Sequence, residues 1–206
     1  EASLLLEEAR KYRGGKYYPM ILCALRTGMR IGELQALQWA DIDFNSRFIW
    51  VKQSWRKGQL SSTKNRNRRR VDMSPALTET LKALRLTQKK RSLEKGMPVP
   101  EWVFANSKGN VIQRYNFRCA FEKCLEKAGL RRIRIHDLRH SYATIRLMRG
   151  HNIGDVSSQL GHSSISITYD VYGHWVPGSF KNEVDDLDET QPGATYTQPT
   201  KLEIKN

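Results

Sequence analysis

The spacing of apolar residues predicts helices along the first part of the chain. Leucine, isoleucine, alanine and methionine recur at helical intervals over residues 3–13 and again over residues 17–27. Gly28 follows the second run directly, where a glycine is well placed to end a helix. The next segment, "MRIGELQALQWADIDF" over residues 29–44, continues the pattern, so we expect a third helix to start there at once.

β-branched and aromatic residues then replace the helical pattern. The stretch "RFIWVKQS" over residues 47–54 predicts a strand. The stretch "KGQLSSTKNRNRRRVDM" predicts a second strand, a basic turn and a third strand, and the three strands should form a small antiparallel sheet. A short extended pair is expected in "WVFANSKGNVI", around Lys108 and Gly109.

The remainder of the chain again shows helical spacing. Pro75 opens a long helix that extends to about residue 94, and further helices are expected over residues 114–128, 137–149, 153–160 and 164–172. Beyond Gly173 the composition becomes polar and acidic, which suits an extended arm. We therefore predict an α+β domain, mainly α-helical with a small antiparallel β-sheet, over residues 1–175, and a C-terminal tail over residues 176–206.

The net charge of +14 indicates a polyanionic partner. Three lysines and six acidic residues follow Trp175, so the preceding body carries a net charge of +17. Nucleic acid is the simplest partner for such a body, although ribosomal proteins and simple binding proteins share this charge. No apolar run approaches the roughly 20 residues of a membrane-spanning helix, so no membrane association is expected.

Neither the cysteines nor the histidines have the spacing of a metal site. Cys23, Cys119 and Cys124 are odd in number, and we interpret them as reduced, mostly buried thiols of a cytoplasmic protein. The five histidines form no zinc pattern with them. No metal ion or other cofactor is therefore expected.

Two segments place basic side chains where an anion could bind. In "IHDLRHSYAT", His136 and Arg139 share a face at a helix start, where Arg139 could hold two phosphate oxygens and His136 a third. In "ALRTGMRIGEL", Arg30 follows a glycine turn amid apolar residues and needs an anionic partner. Polar capping in the first case, and pairing of Arg30 with Glu33 in the second, are equally consistent with the sequence.

Two further segments add basic and nucleophilic side chains. "STKNRNRRRV" has five basic residues among positions 64–70, which indicates a hairpin facing solvent or a DNA backbone. In "QLGHSSISITYDVYGH", His162 stands at a predicted helix start that favours an anion, with capping or packing as the alternative. Tyr169 and Tyr172 follow three residues apart, and each could be a nucleophile or fill the core.

Three of these segments together resemble one known family. "TGMRIGEL", "HDLRHSYAT" and "LGHSSISITYDVYGH" resemble, in order and spacing, the Arg box, the His-x-x-Arg box and the Gly-His…Tyr box of the tyrosine recombinases, the phage integrase family. The resemblance covers residues 1–175, which would be the catalytic domain. It implies a site-specific DNA recombinase that acts through a covalent 3′-phosphotyrosine intermediate, without metal or ATP, to integrate or excise a phage or mobile element.

The resemblance also implies roles for individual positions. Arg30 and Arg139 would clamp the scissile phosphate, while His136 and His162 would contact its oxygens and assist proton loss from the nucleophile. Tyr172, in "DVYGH", would be that nucleophile. Lys64, in Thr63-Lys64-Asn65, would be the general acid, and Arg66, Arg68 and Arg69 would contact DNA. Tyr169 would pack in the core, and His140, His151 and His174 would have structural roles.

Partners and organisation follow from the same resemblance. It implies double-stranded DNA attachment sites, a homotetramer on DNA, an accessory DNA-bending protein or excision factor, and action in the cytoplasm of a bacterial host. The family's N-terminal core-binding and arm-binding domains are absent from these 206 residues, and the tail would dock on a neighbouring subunit or form a disordered acidic end. A type IB topoisomerase, which uses a similar residue set, and a non-catalytic DNA-binding module are the alternative functions.

Overall fold

In the computed structural model, which describes residues 1–62 and 68–176, the chain forms eight α-helices, a three-stranded antiparallel sheet and a separate β-hairpin. The predicted general acid Lys64, the neighbouring Arg66 and residues 177–206 of the tail lie outside the described residues.

The helices are α1 Ala2–Lys11, α2 Tyr18–Thr27, α3 Ile31–Gln35, α4 Pro75–Glu94, α5 Arg114–Lys127, α6 Asp137–Met148, α7 Ile153–Leu160 and α8 Ile165–Tyr172. The strands are β1 Ile42–Asp43, β2 Phe48–Val51, β3 Gln53–Arg56, β4 Gln59–Ser62 and β5 Arg69–Asp72. Apart from α3, the helices lie within two residues of the predicted ranges, so these predictions are confirmed.

Helix α2 lies in the main core because nearly every residue of it is apolar. Its residues from Met20 to Leu25 are buried, and the helix packs against α1, α4 and α6. Gly28 ends the helix in the left-handed conformation, with φ 61°, as the sequence predicts. A Cβ atom at Gly28 would lie 2.6 Å from the Tyr142 ring, so the chain has no room there for a larger residue.

The third helix starts within residues 29–44 as predicted, but it is short. Helix α3 ends at Gln35, and Gln38 then forms a β-bridge with Trp102 in the segment after α4. The Leu37 carbonyl accepts a hydrogen bond from the Val103 N–H, and the Trp39 N–H donates to the Glu101 carbonyl. These hydrogen bonds join two segments of the chain that are far apart in sequence, and Leu37 and Trp39 are buried there. They replace the helical hydrogen bonds that the apolar spacing alone suggests.

The three predicted strands do not form a single sheet. Strand β2 pairs with β1 and with the returning strand β5, which places Ile49 opposite Val71 in the core. Strands β3 and β4 pair with each other as a separate hairpin, because the chain leaves the first sheet at Lys52. The expected extended pair around Lys108 and Gly109 is present as a single bridge between Ala105 and Val111.

Helices α6, α7 and α8 enclose a second, smaller core. Its buried members come from all three helices and are Tyr142, Ala143, Leu147, Val156, Leu160 and Tyr172. Helix α6 also contributes Leu138 to the main core, so it joins the two cores. The boundary between them is where the motif residues of the sequence come together.

Candidate active site

Arg139 is a buried cation held by main-chain carbonyls. Its side chain is 3% exposed; Nη1 donates to the Gly28 carbonyl at 2.8 Å and Nη2 to the Leu160 carbonyl at 2.7 Å. These carbonyls stand at the C-terminal ends of α2 and α7, where the helix dipoles are negative and stabilise a cation. Burial, followed by the positive charge of Arg30, lowers the pKa of Arg139 to about 10, so the group is still charged at neutral pH.

Arg30 lies at the start of α3 with its side chain 44% exposed. Its backbone N–H donates to Oε2 of Glu33 at 2.8 Å, and its Nη1 approaches Oε1 of Glu33 at 3.2 Å. The guanidinium is therefore anchored at one edge and open to solvent elsewhere. An arginine in this position can present donors to an anionic ligand.

The carboxylate of Glu33 is mainly the partner of Arg69. The two form a bidentate pair with N–O distances of 2.9 and 2.7 Å, and Nε of Arg69 donates to the Gln159 carbonyl at 3.0 Å. Burial alone would raise the pKa of Glu33, but the hydrogen bonds and charges of Arg69 and Arg30 lower it. The guanidinium of Arg69 is therefore paired with internal partners, and the expected DNA contact of Arg69 stays a prediction.

His136 and His162 lie close enough to both arginines to be affected by their charges. His162 is half-buried and shares a 2.7 Å hydrogen bond between Nδ1 and the Thr168 hydroxyl. Burial, then Arg139 and Arg30, lower the pKa of His162 to about 4. Partial burial, then His140, Arg139 and Arg30, also lower the pKa of His136. Both rings are therefore neutral at pH 7.

The two tyrosines of α8 differ sharply in environment. Tyr172 is 4% exposed and belongs to the second core, whereas Tyr169 is 66% exposed, so the packing role expected for Tyr169 is wrong. The Tyr172 hydroxyl lies 2.7 Å from Nδ1 of His140. Burial raises the pKa of Tyr172, with a smaller lowering by Arg139, so the phenol is protonated at neutral pH.

The structure brings five of the six predicted catalytic residues into one neighbourhood: Arg30, His136, Arg139, His162 and Tyr172. Arg139 is within electrostatic range of Arg30 and Tyr172, and His162 is within range of Arg139 and Arg30. The sixth, Lys64, lies outside the described residues together with Arg66. Arg68 is exposed just before β5.

His140 is a site residue that the sequence reasoning missed. The resemblance implies only a structural role for it, yet its imidazole contacts both the Tyr172 hydroxyl and, edge to face at 5.2 Å, the ring of His136. A signal is present in the sequence, because positions 136 and 140 are one helical turn apart and share a face. His151 is exposed and bonds Arg146, and His174 is exposed beside Trp175, both away from these contacts.

A groove of about 1130 Å³ runs alongside Arg30 and His136. Its wall is strongly basic and includes Arg56, Arg114, Arg118, Arg132 and Arg134. Two acidic residues also line it, each paired with one of those arginines: Glu122 with Arg132, and Asp137 with Arg134. The groove therefore has a net positive charge and leads directly to the candidate site.

Within residues 1–62 and 68–176, no cluster of three or more histidine, cysteine, aspartate or glutamate side chains is arranged to hold a metal ion. In the same part of the chain no helix combines the length and apolarity needed to cross a membrane.

Comparison with known sequences gives a consistent result. The phage integrase family matches residues 1–177. The chain is 33% identical to a tyrosine recombinase XerC-like protein of Caldanaerobacter subterraneus subsp. tengcongensis, covering 89% of this chain and 51% of that protein. It is 32% identical to the ICEBs1 integrase of Bacillus subtilis, covering 81% and 47%. The chain thus spans about half the length of the curated relatives it matches.

Comparison with solved structures agrees on the fold. The Tn1549 transposon integrase in complex with transposon right end DNA superposes with a TM-score of 0.72 at 21% identity, covering 90% of this chain and 63% of that one. The catalytic domain of bacteriophage HP1 integrase superposes with a TM-score of 0.63 at 22% identity, covering 93% and 94%. The predicted fold class is therefore confirmed.

Proposed function

The chain belongs to the phage integrase family, and from this we propose that it is the catalytic part of a site-specific DNA recombinase. The substrate is double-stranded DNA at attachment sites of a phage or other mobile element. The reaction cuts one strand and joins its 3′ side to Tyr172, and a second strand then replaces the tyrosine. The observation that carries this proposal is the gathering of two arginines, two neutral histidines and one tyrosine at the junction of the two cores.

The side chains suit the requirements of phosphodiester cleavage. Arg30 and Arg139 hold the two non-bridging oxygens, where negative charge increases in the transition state, and each such donor contributes roughly 2.7–4 kcal/mol. Arg139 is held rigidly by two carbonyls, so little reorganisation is needed when DNA binds. His136 and His162 donate hydrogen bonds to the same oxygens.

Bond making and bond breaking balance without an external energy source. The Tyr172 oxygen attacks phosphorus, and the 5′-oxygen leaves and takes a proton from a general acid, for which we propose Lys64. The phosphotyrosine bond keeps the energy of the broken phosphodiester. A 5′-hydroxyl of another strand can therefore attack the phosphotyrosine and regenerate the tyrosine without ATP.

The basic groove gives DNA a path to this site. Its arginines can neutralise successive phosphates on one strand, which supplies affinity without sequence readout. Arg66 and Arg68, which lie between β4 and β5 in the sequence, would add contacts to DNA. We propose that the whole protein assembles as a tetramer on DNA in the bacterial cytoplasm, with the tail docking on a neighbouring subunit and accessory DNA-bending or excision factors assisting.

A trapped covalent intermediate tests the proposal directly. The full-length protein is incubated with nicked duplexes from the two ends of the element that encodes it, so that the short 5′-hydroxyl fragment dissociates and the adduct accumulates. The wild type should form a covalent adduct; Tyr172→Phe should bind the DNA with unchanged affinity and form none. Tyr169→Phe, the matched control on the same helix, should form the adduct at the wild-type rate.

The opposite outcomes separate the alternatives. An adduct with Tyr172→Phe but not with Tyr169→Phe would move the nucleophile to the exposed tyrosine. DNA binding by the wild type without any adduct would favour the non-catalytic DNA-binding module. Relaxation of supercoiled DNA by single protomers, without Holliday junctions, would favour the topoisomerase.

A further inference from the structure

His140 is in hydrogen-bond contact with the hydroxyl of Tyr172. Its Nδ1 lies 2.7 Å from that oxygen, and the two rings are tilted against each other with centroids 5.7 Å apart. The contact joins α6 to α8, since His140 follows Arg139 directly and Tyr172 is the last residue of α8. The imidazole is half-buried and therefore partly shielded from water.

We propose that His140 accepts the proton of the Tyr172 hydroxyl as that oxygen attacks the DNA phosphorus. The inference rests on the proposed function and adds a residue outside the implied set of Arg30, Lys64, His136, Arg139, His162 and Tyr172. It requires the imidazole to carry its hydrogen on Nε2, so that Nδ1 is free to accept.

The other two histidines of the site are occupied differently. Nδ1 of His162 shares its hydrogen bond with the Thr168 hydroxyl rather than with Tyr172. The nearby arginine charges make both His162 and His136 weak bases, which suits hydrogen-bond donation to phosphate oxygens. The buried phenol of Tyr172 is protonated at neutral pH and so needs an acceptor within reach, and His140 is already in contact with it.

The proton transfer balances in both directions. In cleavage the proton moves from the Tyr172 oxygen to Nδ1 of His140 while the oxygen–phosphorus bond forms and the bond to the 5′-oxygen breaks. In rejoining, the imidazolium returns the proton to the departing phenolate. The titratable and charged groups close to His140 are His136 and Asp137 at the start of α6, His162 on the loop before α8, and Tyr172. Glu1 and Arg131 line the same cavity as His140.

The test measures the rate of covalent adduct formation for the full-length protein. His140→Asn keeps a hydrogen-bonding atom near the position of Nδ1 but cannot take the proton, so its rate should fall by about 10²-fold or more. His151→Asn replaces an exposed histidine in the loop after α6; it is the matched control and should behave as the wild type.

A DNA substrate with sulfur in place of the 5′-bridging oxygen separates the base from the acid. Sulfur leaves without protonation, so this substrate should restore the Lys64→Ala variant but leave His140→Asn slow. Two results would overturn the inference: a His140→Asn rate within about threefold of the wild type, or restoration of that variant by the sulfur substrate.

Two controls separate this inference from its premise and from misfolding. Absence of any adduct from the wild type would contradict the proposed function itself, whereas a wild-type adduct with an unchanged His140→Asn rate would contradict the inference alone. If His140→Asn loses DNA binding, His140→Gln takes its place.

Discussion

Burial changes what single side chains can do at this site. Tyr169 and Tyr172 are the same residue type three positions apart, yet Tyr169 is exposed to solvent and Tyr172 is buried in the second core. Helical spacing alone could not tell them apart, because the face that α8 buries is decided by α6 and α7. The family resemblance selects Tyr172, and the contact with His140 emerges only when α6 and α8 are placed together.

The lowered pKa of His162 should be visible in the pH dependence of stability. The folded chain protonates His162 near pH 4, whereas an unfolded histidine does so near its usual 6.5. As the pH falls from about 6.5 to about 4, the unfolded state therefore takes up a proton that the folded state does not, and the free energy of unfolding decreases.

Urea denaturation across that pH range measures the effect. His162→Asn retains a polar partner for Thr168 but has no titrating ring, so its stability should fall less steeply between about pH 6.5 and 4 than that of the wild type. Other titrating groups are common to both proteins and cancel in the comparison. Parallel curves for the two proteins would mean that His162 does not have a depressed pKa.

At the scale of elements, long helices were predictable and the pairing of short segments was not. Helices α4 to α8 have clear periodicity with capping or proline signals, such as Ser74 before Pro75 and Asn152 before α7. The end of α3 and the division of the strands depend instead on hydrogen bonds to distant segments, such as Leu37 to Val103. Local spacing contains no information about such partners.

Arg69 joins three elements and should be essential for stability. Its guanidinium on β5 bonds Glu33 of α3 and the Gln159 carbonyl of α7. Arg69→Met would leave the Glu33 carboxylate buried at 3% exposure without its main partner. Loss of one partner of a buried ion pair costs about 3–5 kcal/mol.

Chemical denaturation can compare Arg69→Met with Arg68→Met, the exposed neighbour, which should change stability by less than about 0.5 kcal/mol. Combining Arg69→Met with Glu33→Gln should recover part of the loss, because the unpaired charge is removed. Equal stability of the two single variants would show that the pair contributes little.

At the scale of the whole molecule, part of the net positive charge is concentrated along one groove. The body carries a net +17, and one groove concentrates arginines beside the candidate site. Composition predicts a polyanionic partner, but the groove depends on residues from α5, the hairpin and the segment before α6, which are far apart in sequence. Their convergence is a property of the fold rather than of any local motif.

Salt dependence of DNA binding tests whether this groove is the DNA path. Replacing Arg114 and Arg118 by glutamine should weaken binding to unrelated duplexes. The slope of log affinity against log salt concentration should become shallower by roughly 0.9 for each phosphate that the groove no longer neutralises. Replacing Lys89 and Lys90, exposed on α4 and outside the groove, by glutamine gives a control with the same change in net charge. An equal effect in the control would mean that overall charge, not the groove, determines binding.

The carbonyl anchors of Arg139 have an evolutionary consequence. A main-chain oxygen is supplied by every residue type, so the guanidinium does not depend on the identity of any neighbouring carboxylate. Mutations can accumulate around the site without moving this cation, as long as the ends of α2 and α7 keep their backbone course. Gly28 and Gly161 are exceptions, because both have a positive φ and a Cβ atom would lie 2.6 Å from the Tyr142 ring at Gly28 and 2.7 Å from the Arg69 side chain at Gly161. Drift should therefore be tolerated at many positions here and arrested at these two glycines.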